Sequence, residues 1–277
     1  MTLKEYLKSI DSYIKNENRE YEAIKLLLIE KYYHSVANFY LKMDDEISNE
    51  MIIDLNKYII DFIPVQYILG YSYFYNLKLK VNSNTLIPRN ETEILVELAI
   101  NKIKENYLTK KNKDFKKVLD ICTGSGAIAL AIKNNINVTV KGSDISKDAL
   151  DVARENAEKL NLDVEFIESD VLEKVDYNCE LIVSNPPYIS YNEEVSELVL
   201  NNEPHLALFT EEDGLYFYKK IINDAIKKIK TLKMIIFEIG YLQGEKIKKI
   251  ATEICGNVDV EIIKDYSGKD RIVVITL

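Results

Sequence analysis

The residues Asn185-Pro186-Pro187-Tyr188 directly follow the apolar run Leu181-Ile182-Val183-Ser184, and their types and order suit the recognition of a planar NH2 group. Two consecutive prolines cannot donate to a strand ladder and force a stiff, extended exit from a sheet. The Pro186 carbonyl is then free, and with the Asn185 side-chain oxygen it supplies two acceptors at fixed geometry for the two hydrogens of such a group. Tyr188 offers an aromatic face for a flat group to lie on. A rigid turn without chemistry is the competing reading, and the position at the carboxyl end of a predicted central strand argues against it. Asn185, Pro186, Pro187 and Tyr188 are therefore the candidate catalytic and substrate-binding residues.

A second constellation surrounds Gly124, Gly126 and Ala129, which follow Val118-Leu119-Asp120-Ile121 and open a predicted helix. A glycine-rich turn lets backbone approach a ligand where helix N–H groups lack partners. The spacing fits a G-x-G-x-x-A dinucleotide fingerprint, and Asp144, ending the next predicted strand, suits a ribose diol, so a nicotinamide dehydrogenase is one reading. Asp120 favours another. A carboxylate ending the first strand repels a pyrophosphate but attracts an ammonium or sulfonium, and S-adenosylmethionine carries both cations and no phosphate. Asp120 can equally be a cap for the turn that follows it. Asp170, after Val164-Glu165-Phe166-Ile167, is in position to reach an adenine amino group, or is simply a solvated turn acid.

The elements that must hold these residues are readable from hydrophobic period. Residues 2 to about 63 read as helices only, with Leu3, Tyr6, Leu7, Ile10, Tyr13 and Ile14, then Tyr21, Ile24, Leu27 and Leu28, at helical spacing and Pro64 closing the region. From Tyr73 to Ile87 the pattern is short and alternating, with turn residues at Asn76 and Asn82-Ser83-Asn84, which predicts a hairpin and a domain boundary. Beyond Pro88 strand and helix patterns alternate, which predicts a mostly parallel sheet with helices on both faces. Asn90 and Glu93 have the form of a capping box for a helix to about Tyr107. The runs Val258 to Ile263 and Arg271 to Thr276 have no helix between them and predict an antiparallel edge pair. The expected organisation is a helical domain over 1–72, a hairpin linker over 73–87 and an α/β domain over 88–277.

The 277 residues include 36 Lys and Arg against 45 Asp and Glu, a net charge of −9, which argues against a protein that lives on nucleic acid, since counterion release needs clustered cations. Three cysteines far apart, Cys122, Cys179 and Cys255, predict neither a disulfide framework nor a zinc knuckle. With two histidines, no metal is expected. No apolar run reaches the roughly 18 residues of a membrane span, and the start lacks a signal-peptide pattern, so a cytoplasmic protein is expected.

The tetrapeptide at 185–188 together with the glycine turn resembles the amino methyltransferases that modify planar nitrogens. Pro64 to Gly70, Leu86-Ile87-Pro88-Arg89-Asn90-Glu91-Thr92-Glu93, Glu203 to Leu208, Asp213-Gly214-Leu215, Phe237-Glu238-Ile239-Gly240 and Gly268 to Arg271 narrow the resemblance to the peptide chain release factor glutamine methyltransferase family, class I S-adenosylmethionine-dependent enzymes. The resemblance covers about Pro64 to the C-terminus, preceded by a helical domain of the expected size. It implies a Rossmann-like fold and methylation of the glutamine amide in the Gly-Gly-Gln motif of class I release factors. It further implies that Cys122, Thr123, Gly124, Ser125 and Gly126 wrap the methionine end of S-adenosylmethionine, that Asp144 holds the ribose, that Asp170 and Val171 flank the adenine, and that Asn185 to Tyr188 present the substrate amide beside the cofactor. The chain departs from the family pattern at Asn90, where proline is usual, and at Cys122, where glycine is usual. Cys122 fits if its φ is negative. Two readings stand beside this one: an amino methyltransferase acting on an exocyclic base amine, which the same acceptors would suit, and a cofactor-binding module whose helical domain does the work.

Overall fold

A computed structural model describes residues 1–109 and 115–277, which divide into two compact units: Met1–Ser72 with Val195–Asn202, and Tyr73–Glu194 with Glu203–Leu277. In the first unit Thr2 and Glu5 form a reciprocal capping box that starts α1 (Leu3–Asn16). Then come α2 (Tyr21–Leu28), a π-helical turn over Ile29–Tyr33, α3 (Val36–Leu41), α4 (Asn49–Ile59) and α5 (Val65–Leu69). Leu3, Leu7, Ile14, Ile24, Leu27 and Leu28 are buried in one cluster with Phe39, Leu55 and Tyr58. Two residues of the predicted apolar stripes depart from it: Tyr13 and Tyr21 are exposed. Pro64 does not close the helical region. It starts α5, its carbonyl accepting the N–H groups of Tyr67 and Ile68, a role that suits a residue with fixed φ and no donor.

The hairpin is shorter than the alternation predicts, with β1 (Tyr71–Phe74) and β2 (Leu77–Lys80) paired and 81–87 irregular. Its turn residues Tyr75 and Asn76 both have positive φ, as a tight two-residue hairpin turn requires. Next come α6 (Asn90–Thr109), β3 (Lys117–Ile121), α7 (Ala127–Asn135), β4 (Thr139–Asp144), α8 (Lys147–Leu160), β5 (Glu165–Glu168) and β6 (Leu181–Ser184). Then follow β7 (Ile189–Ser190), α9 (Glu197–Asn202), β8 (Phe209–Thr210), the short α10 (Glu211–Gly214), α11 (Tyr216–Lys228), β9 (Met234–Glu238), α12 (Gly244–Cys255), β10 (Asp259–Lys264) and β11 (Asp270–Thr276).

The main sheet of the second unit has seven strands in the order β10-β11-β9-β6-β3-β4-β5, parallel from β9 to β5, with β11 antiparallel to both β9 and β10. The period of two divides each strand between two cores. Val118, Val183 and Ile236 pack with α6, α7 and α8 on one face, whereas Leu119, Ile121, Ile182, Ile235 and Phe237 pack with α11 and α12 on the other. Strands buried on both faces read as mostly apolar runs for this reason, as β6 and β9 do, with Asp120 the polar residue within β3. The chain enters the sheet at β3, runs outward to β5 and returns to β6 on the other side of β3. That reversal opens a crevice at the carboxyl ends of β3 and β6, where open α/β sheets bind ligands.

Candidate functional site

The crevice is a cavity of about 800 Å³ of open space. Of the residues singled out in the sequence, Cys122 and Gly124 after β3, Asp144 at the end of β4, Asp170 and Val171 after β5, and Asn185 and Pro187 after β6 line it. Thr123, Ser125, Gly126, Pro186 and Tyr188 belong to the same turns without lining the cavity themselves. Walls that the isolated residue reading did not single out come from Leu86, Ile145, Ser146, Ser169, Leu206 and Phe217. The signal for some of them lay in segments that carried the resemblance, 86–93 and 203–208.

The glycine turn is built from β3 outward. The Thr123 N–H bonds to the Ser143 carbonyl at 3.0 Å, and Gly126 N–H to the Thr123 carbonyl at 2.9 Å, closing the loop. Gly124 has φ +54 and Gly126 φ +82; a Cβ at Gly126 would come within 3.1 Å of both Leu130 and Phe166. Cys122 corrects the sequence expectation: its φ is +59, not negative. A side chain in the left-handed region costs about 1–2 kcal/mol, so glycine would suit this position better and this chain carries strain in the lining of its cavity. Val171, β-branched, buried and also lining the cavity, has φ +50. Burial pushes the Cys122 thiol well above its ordinary value, and the carboxylates of Asp144 and Asp120 push the same way, so this cysteine is held as a neutral thiol.

Asp120 does not face the cavity. It is fully buried, and its Oδ2 accepts the Thr123 hydroxyl at 2.5 Å and the Ala129 N–H at 3.1 Å, while Oδ1 has no partner. It therefore holds the turn against the first turn of α7, and the reading of Asp120 as an attractor of a bound cation is corrected to that of a cap. Burial pushes its pKa up to about 7. Asp144 is the carboxylate presented to the cavity. Its Oδ2 accepts the Gly124 N–H and its Oδ1 the Ser146 N–H, each at 2.9 Å. Burial raises its pKa, against the pull of those backbone donors. Four lone-pair positions with two backbone donors leave it room to accept from a vicinal diol. Asp170 pairs with Lys220 at 2.6 Å, so it is anchored from α11 rather than solvated.

At the substrate end, the Ser184 hydroxyl donates to the Ile121 carbonyl at 2.6 Å, tying the exit of β6 to that of β3. The Asn185 Nδ2 donates to Thr92 Oγ1 at 3.3 Å, and the Thr92 hydroxyl donates to Glu238 Oε2 at 2.6 Å. The next anchor is Gln243, whose Oε1 accepts the Gly240 N–H and whose Nε2 donates to the Tyr188 carbonyl, both at 2.9 Å. Gly214 lies against that carbonyl: with φ +83, a Cβ there would sit 2.2 Å from Tyr188 O. Segment 213–215 thus needs glycine because another backbone passes through the space of a side chain. Glu203 is buried and joins two cavity walls, accepting the Ile87 N–H at 3.1 Å and pairing with Arg89 at 2.5 Å. Among the described residues no group of His, Cys, Asp or Glu is arranged to hold a metal ion, and no helix is long and apolar enough to cross a membrane.

The comparisons agree with this geometry. A family model described as the methyltransferase small domain matches residues 99–207. A structure of the hMettl16 catalytic domain in complex with MAT2A 3'UTR hairpin 1 shares the fold, with a TM-score of 0.58 and 14% identity over 92% of this chain and 91% of that one. The release factor glutamine methyltransferase of Lactococcus lactis is 44% identical over 81% of this chain and 81% of its own. That of Streptococcus pneumoniae is 38% identical over 99% of this chain and 98% of its own. With identity of this level over nearly the whole of both chains, the chain belongs to the release factor glutamine methyltransferase family.

Proposed function

We propose that this enzyme transfers a methyl group from S-adenosylmethionine to the side-chain amide nitrogen of the glutamine in the Gly-Gly-Gln motif of class I peptide chain release factors. The observation that carries the reading is the orientation of the Asn185 amide. Its nitrogen end is taken by Thr92, which leaves Oδ1 as the end that can accept from a bound NH2 group at the cavity. The second acceptor in this reading is the Pro186 carbonyl, between the cavity-lining Asn185 and Pro187, since Pro187 has no N–H to draw that segment back into a ladder.

The donor set fits the cofactor. Asp144 has acceptor capacity for a ribose diol, Asp170 and Val171 line a wall suited to an adenine, and Cys122, Gly124 and Asn185 line the space left for the methionine end. When bound, S-adenosylmethionine supplies an activated methyl on a sulfonium. The residues supply alignment and electrostatics. An amide nitrogen is a poor nucleophile, and the corner at 185–188 offers no side-chain base. Fixing its position and plane can contribute several of the roughly 7–11 kcal/mol available from proximity. Accepting both amide hydrogens also favours positive charge appearing on nitrogen. The helical unit carries none of the cofactor residues and exposes Val36, Tyr40, Leu41, Ile53 and Ile60, which supports a role in docking the release factor in the cytoplasm.

The test is transfer of labelled methyl from S-adenosylmethionine to an intact release factor, with duplex and single-stranded nucleic acid in parallel. Label on the release factor that disappears when its Gly-Gly-Gln glutamine is replaced supports the proposal; label on nucleic acid instead refutes it. Asn185→Leu should lower kcat/KM by about a hundredfold or more through the lost acceptor and the lost alignment. Near-normal turnover in a folded Asn185→Leu protein would sink the mechanism.

A further inference from the structure

Two buried polar side chains outside the cavity, Thr92 on α6 and Glu238 at the end of β9, are joined to Asn185 in a line, and neither belongs to the cofactor site. We propose that Thr92, oriented by Glu238, is a positioning residue that sets which end of the Asn185 amide faces the substrate. The inference rests on the reading that Asn185 Oδ1 accepts from the substrate amide. An asparagine side chain is nearly symmetric in shape, so packing alone does not choose between its two flips. Hydrogen-bond polarity does. Burial pushes the Glu238 pKa up to about 7, and in its ionised form it only accepts, so the Thr92 hydroxyl gives its single proton to Glu238 and its oxygen can then only accept. The group facing Thr92 must be a donor, which is Asn185 Nδ2, and the opposite end is Oδ1. A flipped Asn185 would set two acceptors against each other at Thr92 and present an NH2 to the NH2 of the substrate. A chain of alternating donors and acceptors has one sense, and the ionised form of Glu238, which predominates above about pH 7, fixes it.

The position of Thr92 explains how α6 serves the site. Its N–H donates to the Arg89 carbonyl at 3.1 Å in the first turn of the helix, and Arg89 itself is tied to Glu203. The hydroxyl is therefore carried on a helix terminus pinned at the residue three before it. Thr92 does not line the cavity, and of the residues that do its hydroxyl bonds Asn185, so its effect on catalysis passes through that amide.

The experiment compares Thr92→Val, which keeps the shape and removes the hydroxyl, with Thr92→Ser, which keeps the hydroxyl. Each is made in the full chain and also combined with Asn185→Ala. Single-turnover methylation of an intact release factor, cofactor affinity by calorimetry and thermal unfolding are measured together. Thr92→Val should slow the methyl-transfer step about tenfold, with cofactor affinity and release-factor KM within about twofold, and Thr92→Ser should recover most of the rate. In the Asn185→Ala background Thr92→Val should have no further effect, because there is no amide left to orient. If Thr92→Val does not fold, Thr92→Ala carries the same comparison. A normal rate for a folded Thr92→Val protein, or an equal loss in the Asn185→Ala background, overturns the inference. A normal rate for Asn185→Ala itself overturns instead the reading of Asn185 on which it rests.

Discussion

Replacing Asp120 by asparagine tests whether the buried carboxylate under the glycine turn is a structural cap whose burial is relieved by a proton. Oδ2 accepts from Thr123 and Ala129, Oδ1 accepts from nothing, and burial pushes the pKa up to about 7. An aspartate in the unfolded chain titrates near 3.9. The folded state therefore binds the proton more tightly, folding takes one up between about pH 4 and pH 7, and the stability this contributes is lost as pH rises through about 7. Integrating the linkage relation between those two pKa values, the contribution at pH 5.5 exceeds that at pH 8 by about 2 kcal/mol. Asparagine keeps the shape and the acceptor toward Thr123 and Ala129 and does not titrate. Urea unfolding at the two pH values should show the stability of Asp120→Asn relative to the parent improving by about 2 kcal/mol from the acid to the alkaline condition, with the urea dependence unchanged. Parallel pH dependences for the two proteins, which is what a carboxylate held ionised in the fold would give at these two pH values, would refute the reasoning.

At Cys122 the usual order of stability should invert: with φ +59, Cys122→Gly should be more stable than Cys122→Ala by about 0.5–1 kcal/mol, the left-handed penalty of alanine exceeding the chain entropy of glycine, as seen in thermal unfolding. Gly214→Ala should lose several kcal/mol of stability or displace the Tyr188 carbonyl with a large fall in kcat/KM, since the new Cβ would lie 2.2 Å from Tyr188 O and 2.3 Å from Gln243 Nε2. Asp144→Ala should weaken S-adenosylmethionine binding by about tenfold or more, because a diol loses a charged acceptor worth about 1.5–3 kcal/mol, and calorimetry with unchanged affinity would remove Asp144 from the site.

The strands and their order along the chain were legible because β3, β6 and β9 are buried on both faces and so read as apolar runs, interrupted in β3 by the buried Asp120. The exits that carry chemistry were legible for a related reason. Prolines at 186 and 187 and glycines at 124 and 126 are residue types that a strand or a helix interior rejects, so they mark where the chain leaves regular structure for a ligand. Period alone was a weaker guide in the helical unit: Tyr13 and Tyr21 fall on the apolar stripes yet are exposed, an aromatic body with a polar tip tolerating either side. Pro64 was read as a stop although it is equally a start, since the missing donor is harmless at the first turn of a helix.

By itself the sequence determined the fold class, the Asn185 corner, the glycine turn and, through the spaced segments from Pro64 to Arg271, the family. Each is a local property, written in the type and spacing of neighbouring residues. What only the tertiary structure decided are the pairings between residues far apart in the chain and the backbone angles. The sequence leaves Asp120 as either a charge offered to a ligand or a cap for the turn, and its partners, Thr123 and Ala129, decide for the cap. Cys122 looked tolerable until its φ proved positive. The join from Asn185 to Thr92 to Glu238 spans 93 and then 146 residues of sequence, and no local pattern carries the direction of a hydrogen bond over such distances. That direction is set when the sheet brings β6 and β9 side by side and α6 packs across them.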